Sequence, residues 1–146
     1  MEKAIAAVLR EIENRNKPLL IAVDGRCASG KTTFAAALEK KLGCAVIHTD
    51  HFFLRPEQRT EERLNEAGGN VDYERLKEEV MLPLMTGKAF SYRKFDCGEM
   101  KLSAEIEVKP TPVTVIEGSY SCCPALWDYY GLRIFLTVDP HEQLRR

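Results

Sequence analysis

Apolar residues along the chain occur in short continuous runs that alternate with segments of helical periodicity. The continuous runs predict four buried β-strands, at 19–23, 45–49, 113–116 and 134–138, because a strand covered on both faces has no polar side. Apolar residues three or four positions apart predict helices over 3–15, 32–42 and 73–85. Strands that alternate with helices in this way predict an α/β fold, a parallel sheet flanked by helices in three layers.

The remaining segments show weaker patterns. Residues 55–70 are polar, residues 90–100 lack a regular period, and residues 102–108 alternate weakly, as expected for an exposed hairpin arm. The aromatic residues at 127–130 predict a short helix or turn. Asp139-Pro140 predicts the start of a last helix, with proline in its first turn.

The first predicted strand runs into a glycine-rich loop of the form G-x-x-x-x-G-K-T. Its glycines allow positive φ and let backbone N–H groups surround a phosphate, and the following helix adds its dipole. Lys31 can reach terminal phosphates, and the Thr32 hydroxyl can bind Mg²⁺. Strand, loop and helix in this order indicate a nucleotide site. The predicted nucleotide-binding residues are Gly25, Arg26, Cys27, Ala28, Ser29, Gly30, Lys31, Thr32 and Thr33.

Polar residues also follow the other predicted strands. They are Asp50, Glu117 and Asp139, and the carboxyl ends of parallel strands meet at one edge of a sheet, where ligands bind. Asp50 could accept a proton from an attacking hydroxyl, or it could simply be a turn residue. Glu117 could hold Mg²⁺ directly or through water, or it could be an exposed acid at a strand end.

Composition restricts the classes of partner. The 146 residues fit a single domain, and a net charge of −1 gives no basic field for nucleic acid or an anionic membrane. No apolar stretch approaches the roughly 18 residues of a membrane span, and the N-terminus lacks a signal-peptide pattern. Five cysteines without C-x-x-C spacing favour reduced thiols in a cytoplasmic protein.

Six segments, from Pro18 to Arg146, together form a more specific pattern than the phosphate loop. They are IAVDGRCASGKTT, TDHFF, GGNVDYERL, SYRKFDC, VTVIEGSYS and IFLTVDPHEQLRR. In order and spacing they resemble the uridine kinase and phosphoribulokinase family of P-loop kinases. The resemblance implies a parallel sheet with helices on both sides, and Mg²⁺-dependent transfer of phosphate from ATP to a substrate hydroxyl.

The resemblance implies roles for residues at the acceptor side. Asp50 matches the catalytic base, and Phe53 matches the aromatic position close behind it. Asp72 matches an acid that binds the substrate hydroxyl. Phe95 and Asp96 match the Tyr-Asp pair of the family's nucleoside pocket.

On the nucleotide side, Glu117 matches the magnesium-associated acid, and Arg146 matches a lid arginine that contacts phosphates.

The chain departs from the family pattern in two places. Where uridine kinases carry a base-reading histidine, this chain has Gly98-Glu99-Met100, so we expect uridine to be a poor acceptor. The family also continues past this point with a basic lid, a fifth strand and a closing helix, so we expect residues 1–146 to form a C-terminally incomplete kinase domain.

Two histidines lie within two positions of Asp50. His48 lies within an apolar run, which predicts a core histidine rather than a catalytic one. His51 follows the predicted base and could either touch substrate or face solvent.

The leading hypothesis is a small-molecule kinase that uses ATP and Mg²⁺ to phosphorylate a nucleoside-like or other polyol acceptor, and that could form a homo-oligomer. The alternatives are a nucleotide-dependent switch or assembly module, and a degenerate binding protein. Asp50, Asp72 and the Phe95-Asp96 pair favour the kinase, because a switch needs no acceptor pocket. ATP is favoured over GTP because the N-K-x-D motif is missing.

Overall fold

The structure is a computed structural model that describes residues 1–144. A parallel sheet of four strands and a separate antiparallel hairpin account for its β-structure. The strands are β1 (Leu19–Gly25), β2 (Ala45–His48), β3 (Phe90–Asp96), β4 (Lys101–Val108), β5 (Val113–Glu117) and β6 (Leu132–Leu136). The parallel sheet has the order β2-β5-β1-β6, and β3 pairs with β4 in the hairpin. The predicted α/β fold is confirmed.

Helices cover both faces of the sheet. They are α1 (Glu2–Glu13), α2 (Lys31–Leu42), α3 (Glu61–Leu64), α4 (Tyr73–Leu76), α5 (Leu82–Met85) and α6 (Pro140–Leu144). A wider π-helical turn, Lys77–Met81, joins α4 to α5. Pro83 lies just after this turn, and a wide turn accommodates a ring that clashes with the preceding helical turn. Short 3₁₀ turns occupy Thr49–His51, Pro56–Gln58 and Trp127–Tyr129.

Alternate residues of each central strand point into two separate cores. On one face, Ile21 and Val23 of β1 pack with buried residues of α1 and α2, including Phe34. On the other face, Ala22 of β1 packs with residues from α4, the π-helical turn and the hairpin, including Leu76. Burial on both faces explains why these strands appear as unbroken apolar runs.

Helix α2 ends where the sequence predicts. Gly43 follows it with φ +61, and its N–H donates to the carbonyl of Glu39 at 2.8 Å. Glycine reaches this left-handed conformation without the strain that a Cβ brings.

Several predicted boundaries differ from those of the structure. Residues 90–96 form β3 rather than the irregular segment that the sequence predicts. A bulge between Arg93 and Phe95 breaks the alternation of buried and exposed positions, so the strand lacks a regular sequence pattern. Tyr92 and Phe95 are buried although they lie three positions apart. Strand β6 lies two residues earlier than predicted, and Thr49 belongs to a 3₁₀ turn rather than to β2.

The turn after β5 depends on a glycine. Gly118 has φ +141, and a Cβ there would lie 1.8 Å from Oγ1 and 3.0 Å from Cβ of Thr49, which is itself buried. Gly87 also has a positive φ, +70, but a Cβ there meets nothing within 4 Å. Gly87 therefore serves as a control that has a positive φ but no steric collision.

We expect Gly118→Ala to lower the free energy of unfolding by about 2–4 kcal/mol, through strain and overpacking together. The control Gly87→Ala should lower it by about 1–2 kcal/mol, through strain alone. Urea denaturation of both variants measures the difference. Equal losses would contradict the close packing of Gly118 on Thr49.

Candidate active site

The phosphate loop connects β1 to α2 with three positive φ angles. Gly25 has φ +153, Ala28 has φ +58 and Gly30 has φ +89. A Cβ on Gly25 would lie 2.3 Å from the carbonyl oxygen of Leu136 in the neighbouring strand, so only glycine fits there. Lys31 Nζ donates to the carbonyl oxygens of Gly25, at 3.0 Å, and Arg26, at 2.8 Å. The Lys31 side chain therefore lies across the phosphate loop.

Glu117 joins three elements at the carboxyl edge of the sheet. It ends β5 and is only 4% exposed. Its Oε1 accepts a hydrogen bond from the Thr32 hydroxyl at the start of α2, at 3.3 Å, and lies 2.5 Å from Nδ1 of His48 at the end of β2. Thr32 and Glu117, the two predicted magnesium ligands, are thus brought together by tertiary structure.

His48 is not the core histidine that its apolar run predicted. It is partly exposed, its hydrogen bond with Glu117 raises its pKa, and it lines the cavity beside Asp50. The signal that could have found it is position: the last residue of a parallel strand lies at the edge where ligands bind.

One cavity, of about 560 Å³, connects the nucleotide and acceptor sides, within the range typical of small-molecule sites. Six predicted site residues line it: Thr32, Asp50, Phe53, Phe95, Asp96 and Glu117. Five further residues line it that were not predicted as site residues: His48, His51, Lys94, Cys97 and Ser103. The hairpin therefore forms the wall opposite the sheet edge.

Asp50 lies in the 3₁₀ turn after β2 and faces this cavity. Its neighbours Thr49 and Phe52 are buried, whereas Asp50 itself is exposed. Within residues 1–144, no hydrogen bond or ion pair engages its carboxylate. A carboxylate in this position is available to a ligand.

Asp96, at the end of β3, closes a tight turn of the hairpin. Its Oδ1 accepts the backbone N–H groups of Gly98, at 2.8 Å, and Glu99, at 3.0 Å, and these two bonds lower its pKa. The second carboxylate oxygen remains for the cavity. Met100, in the same turn, is 39% exposed and is not among the residues that line the cavity.

Asp72 lies apart from the cavity lining. It is fully buried at the N-cap of α4, where Oδ1 accepts the N–H of Arg75 and Nε2 of Gln58, each at 3.2 Å. Arg55 Nε lies 3.4 Å from Oδ2, and this oxygen has no hydrogen-bond partner in the described part of the chain. Its predicted contact with an acceptor hydroxyl stays a prediction. The predicted lid arginine, Arg146, lies outside the described residues.

His51, which lines the cavity, forms a polar pair with the buried Tyr92. Nδ1 of His51 lies 2.7 Å from the hydroxyl oxygen of Tyr92. Burial lowers the pKa of His51 to about 4, with a smaller effect from the charge of His48, and burial raises the pKa of Tyr92 to about 12. Both side chains are therefore neutral near pH 7.

This low pKa predicts a pH-dependent contribution of His51 to stability. The folded-state pKa is about 4 against an ordinary 6.5, so between these values the unfolded chain binds more protons. The contribution of the neutral imidazole is complete above pH 6.5 and is lost as the pH falls toward 4. We expect the stability of the wild type, relative to His51→Gln, to decrease between pH 7 and about pH 4.5 in urea denaturation. A constant difference would contradict the buried neutral imidazole.

Comparison with known proteins agrees with the motifs. The chain is 32% identical over 136 residues to nicotinamide riboside kinase 1 from Homo sapiens, covering 89% of this chain and 63% of that protein. It is 30% identical over 139 residues to uridine kinase from Ligilactobacillus salivarius strain UCC118, covering 90% and 65%. The chain thus spans just under two thirds of the length of these curated relatives. No family model matches it.

The fold also has a close structural counterpart. A structure described as a possible uridine kinase from Bacillus stearothermophilus superimposes with a TM-score of 0.77 at 18% identity, covering 99% of this chain and 86% of that one. Among the described residues, no helix has the length and apolar character needed to cross a bilayer. The resemblance to uridine kinase-like P-loop kinases that the motifs indicate is therefore confirmed in sequence and in fold.

Proposed function

We propose that the protein is a small-molecule kinase that transfers the γ-phosphoryl group of ATP to a hydroxyl of a nucleoside-like acceptor. The observation that carries this proposal is the single cavity that runs from Thr32 and Glu117, past Asp50, to Phe95 and Asp96. A nucleotide-dependent switch has no need of an aromatic acceptor side. The named activities of the two curated relatives support the same class of reaction.

The residues of the phosphate loop fit a nucleoside triphosphate. Positive φ at Gly25, Ala28 and Gly30 turns the backbone so that N–H groups can line an anion site, and α2 starts at Lys31. Lys31 would exchange its two carbonyl partners for the β- and γ-phosphates, where a point charge is most effective.

The oxygen atoms of Thr32 and Glu117 fit Mg²⁺, which prefers one or two protein oxygens together with substrate phosphates. Residues 1–144 contain no cluster of three or more His, Cys, Asp or Glu suited to a metal ion, so phosphate oxygens and water would complete the coordination. When bound, the ion neutralises charge on the transferring phosphoryl group. His48 holds one oxygen of Glu117 and thereby orients the carboxylate.

Asp50 is proposed to act as general base. It would accept the proton of the acceptor hydroxyl as that oxygen bonds to the γ-phosphorus and the bond to the β–γ bridging oxygen breaks, releasing ADP. Phe53 and Phe95 would flank the acceptor, and Asp96 would offer its remaining oxygen to an acceptor hydroxyl. The predicted contact of Asp72 with an acceptor hydroxyl stays a proposal, since its Oδ2 pairs with Arg55 and the side chain does not line the cavity.

The chemical identity of the acceptor is a further part of the proposal. Met100 stands near the position where uridine kinases carry a base-reading histidine, so we propose that uridine is a poor acceptor. A panel of nucleosides, pantothenate-like alcohols and sugar phosphates, assayed for ADP release above the background without acceptor, would identify the substrate class. The full-length protein should be used, because the curated relatives are longer than this chain.

Asp50→Asn tests the mechanism on the acceptor found in this panel. The substitution keeps the size of the side chain but removes its proton acceptor, so turnover should fall by roughly 10²–10⁴ while ATP affinity is unchanged. The contrasting variant Lys31→Ala should weaken ATP binding itself. Coupled-assay kinetics and titration calorimetry measure the two effects.

Retention of more than about a third of wild-type turnover by Asp50→Asn, against that expected range, would remove Asp50 from the mechanism. Unchanged ATP affinity and turnover in Lys31→Ala would contradict the nucleotide site.

A further inference from the structure

The His51–Tyr92 pair links the 3₁₀ turn Thr49–His51 to the hairpin across 41 positions of sequence. Tyr92 is only 3% exposed, and its ring packs 5.0 Å from the ring of the fully buried Phe52. His51 follows Asp50 directly and lines the cavity. The pair therefore anchors the residue beside the proposed base to the hairpin that forms the opposite wall.

The surroundings of the Tyr92 hydroxyl determine the tautomer of His51. With a pKa raised to about 12, the hydroxyl keeps its proton near neutral pH. In the described part of the chain its hydrogen-bond partner is Nδ1 of His51, and a buried O–H without an acceptor is costly. The hydroxyl therefore donates to Nδ1, and the neutral imidazole carries its proton on Nε2.

Nε2 is then the free polar atom of His51. Among residues 1–144 the structure gives it no hydrogen-bond partner, and it is not one of the fully buried unsatisfied atoms. It is consequently a fixed N–H donor available to a ligand in the cavity. Lys94, the residue at the β3 bulge, also lines the cavity, and its charge is close enough to influence His51.

We propose that His51 is a specificity-determining residue that donates its Nε2–H to an oxygen atom of the acceptor, with Tyr92 as the positioning residue that fixes its tautomer. The inference rests on the proposed kinase function and adds a requirement to it. Because His51 and Lys94 both donate hydrogen bonds, the acceptor should present an accepting oxygen on this side, of a carbonyl, carboxylate, phosphate or hydroxyl group. A donor left unpaired when the acceptor fills the cavity discriminates against acceptors without such an oxygen.

Histidine NMR of the full-length protein tests the geometry without any turnover. We expect ¹⁵N shifts of a neutral Nε2–H tautomer for His51 in the wild type, and a mixture of tautomers in Tyr92→Phe, which keeps the ring but removes the hydroxyl. Tyr73→Phe is the matched control, because its hydroxyl bonds to Glu66 on the surface. A proton on Nδ1 in the wild type would overturn the proposal.

The same spectra detect binding. With Mg²⁺ and a non-hydrolysable ATP analogue present, uridine, nicotinamide riboside and pantothenate are added in turn, since each carries an accepting oxygen. A shift of the His51 Nε2–H signal with at least one of them is expected. No shift with all three would refute recognition of the acceptor by His51. A shift with a compound that gives no ADP release when ATP replaces the analogue would count against the proposed kinase function alone.

Kinetics then distinguish recognition of the acceptor by His51 from a purely structural role of this residue. His51→Phe should raise the acceptor KM about tenfold and leave the ATP KM unchanged, as expected for loss of one hydrogen bond to a substrate. His51→Gln, whose amide N–H can replace the imidazole donor, should stay within about threefold of wild type. Equal acceptor KM values for the wild type and His51→Phe, or equal defects in both variants, would contradict the donor role.

Discussion

The carboxylate of Asp24 holds together the two strand ends on which the proposed chemistry depends. It is 7% exposed, and its oxygens accept three backbone N–H groups, from Gly25 at 2.6 Å, Tyr120 at 3.0 Å and Cys122 at 2.9 Å. One side chain thus fixes both the start of the phosphate loop and the turn that follows β5. Hydrogen bonds to a charged group are among the stronger ones in proteins.

This arrangement sets the position of Glu117 relative to the phosphate loop. Glu117 lies opposite Val23 in the register of β5 against β1, and its Oε1 meets the Thr32 hydroxyl. Parallel pairing alone places the two strand ends at one edge, while Asp24 restrains the chains that leave them. The site is therefore preorganised by the backbone, and the proposed binding of phosphate would exchange the two carbonyl partners of Lys31.

Local sequence patterns were sufficient for the central part of the fold. The strand, loop and helix around 19–42 were predictable because apolar runs, glycines and helical spacing are short-range signals. Contacts between residues far apart in the sequence were not predictable. The bond of His48 to Glu117 spans 69 positions, and the bulge in β3 hid the alternation that would have revealed the hairpin. Two of the unpredicted cavity residues, His48 and Lys94, belong to these features.

A crystal structure with Mg²⁺ and a non-hydrolysable ATP analogue tests the central claim most directly. The account predicts the triphosphate in the loop of residues 25–32, with one Mg²⁺ at direct or water-bridged distance from both Thr32 Oγ1 and the Glu117 carboxylate. It also predicts Lys31 turned from the loop carbonyls to the phosphates. A magnesium ion held wholly by other residues, or a nucleotide bound away from this loop, would contradict it.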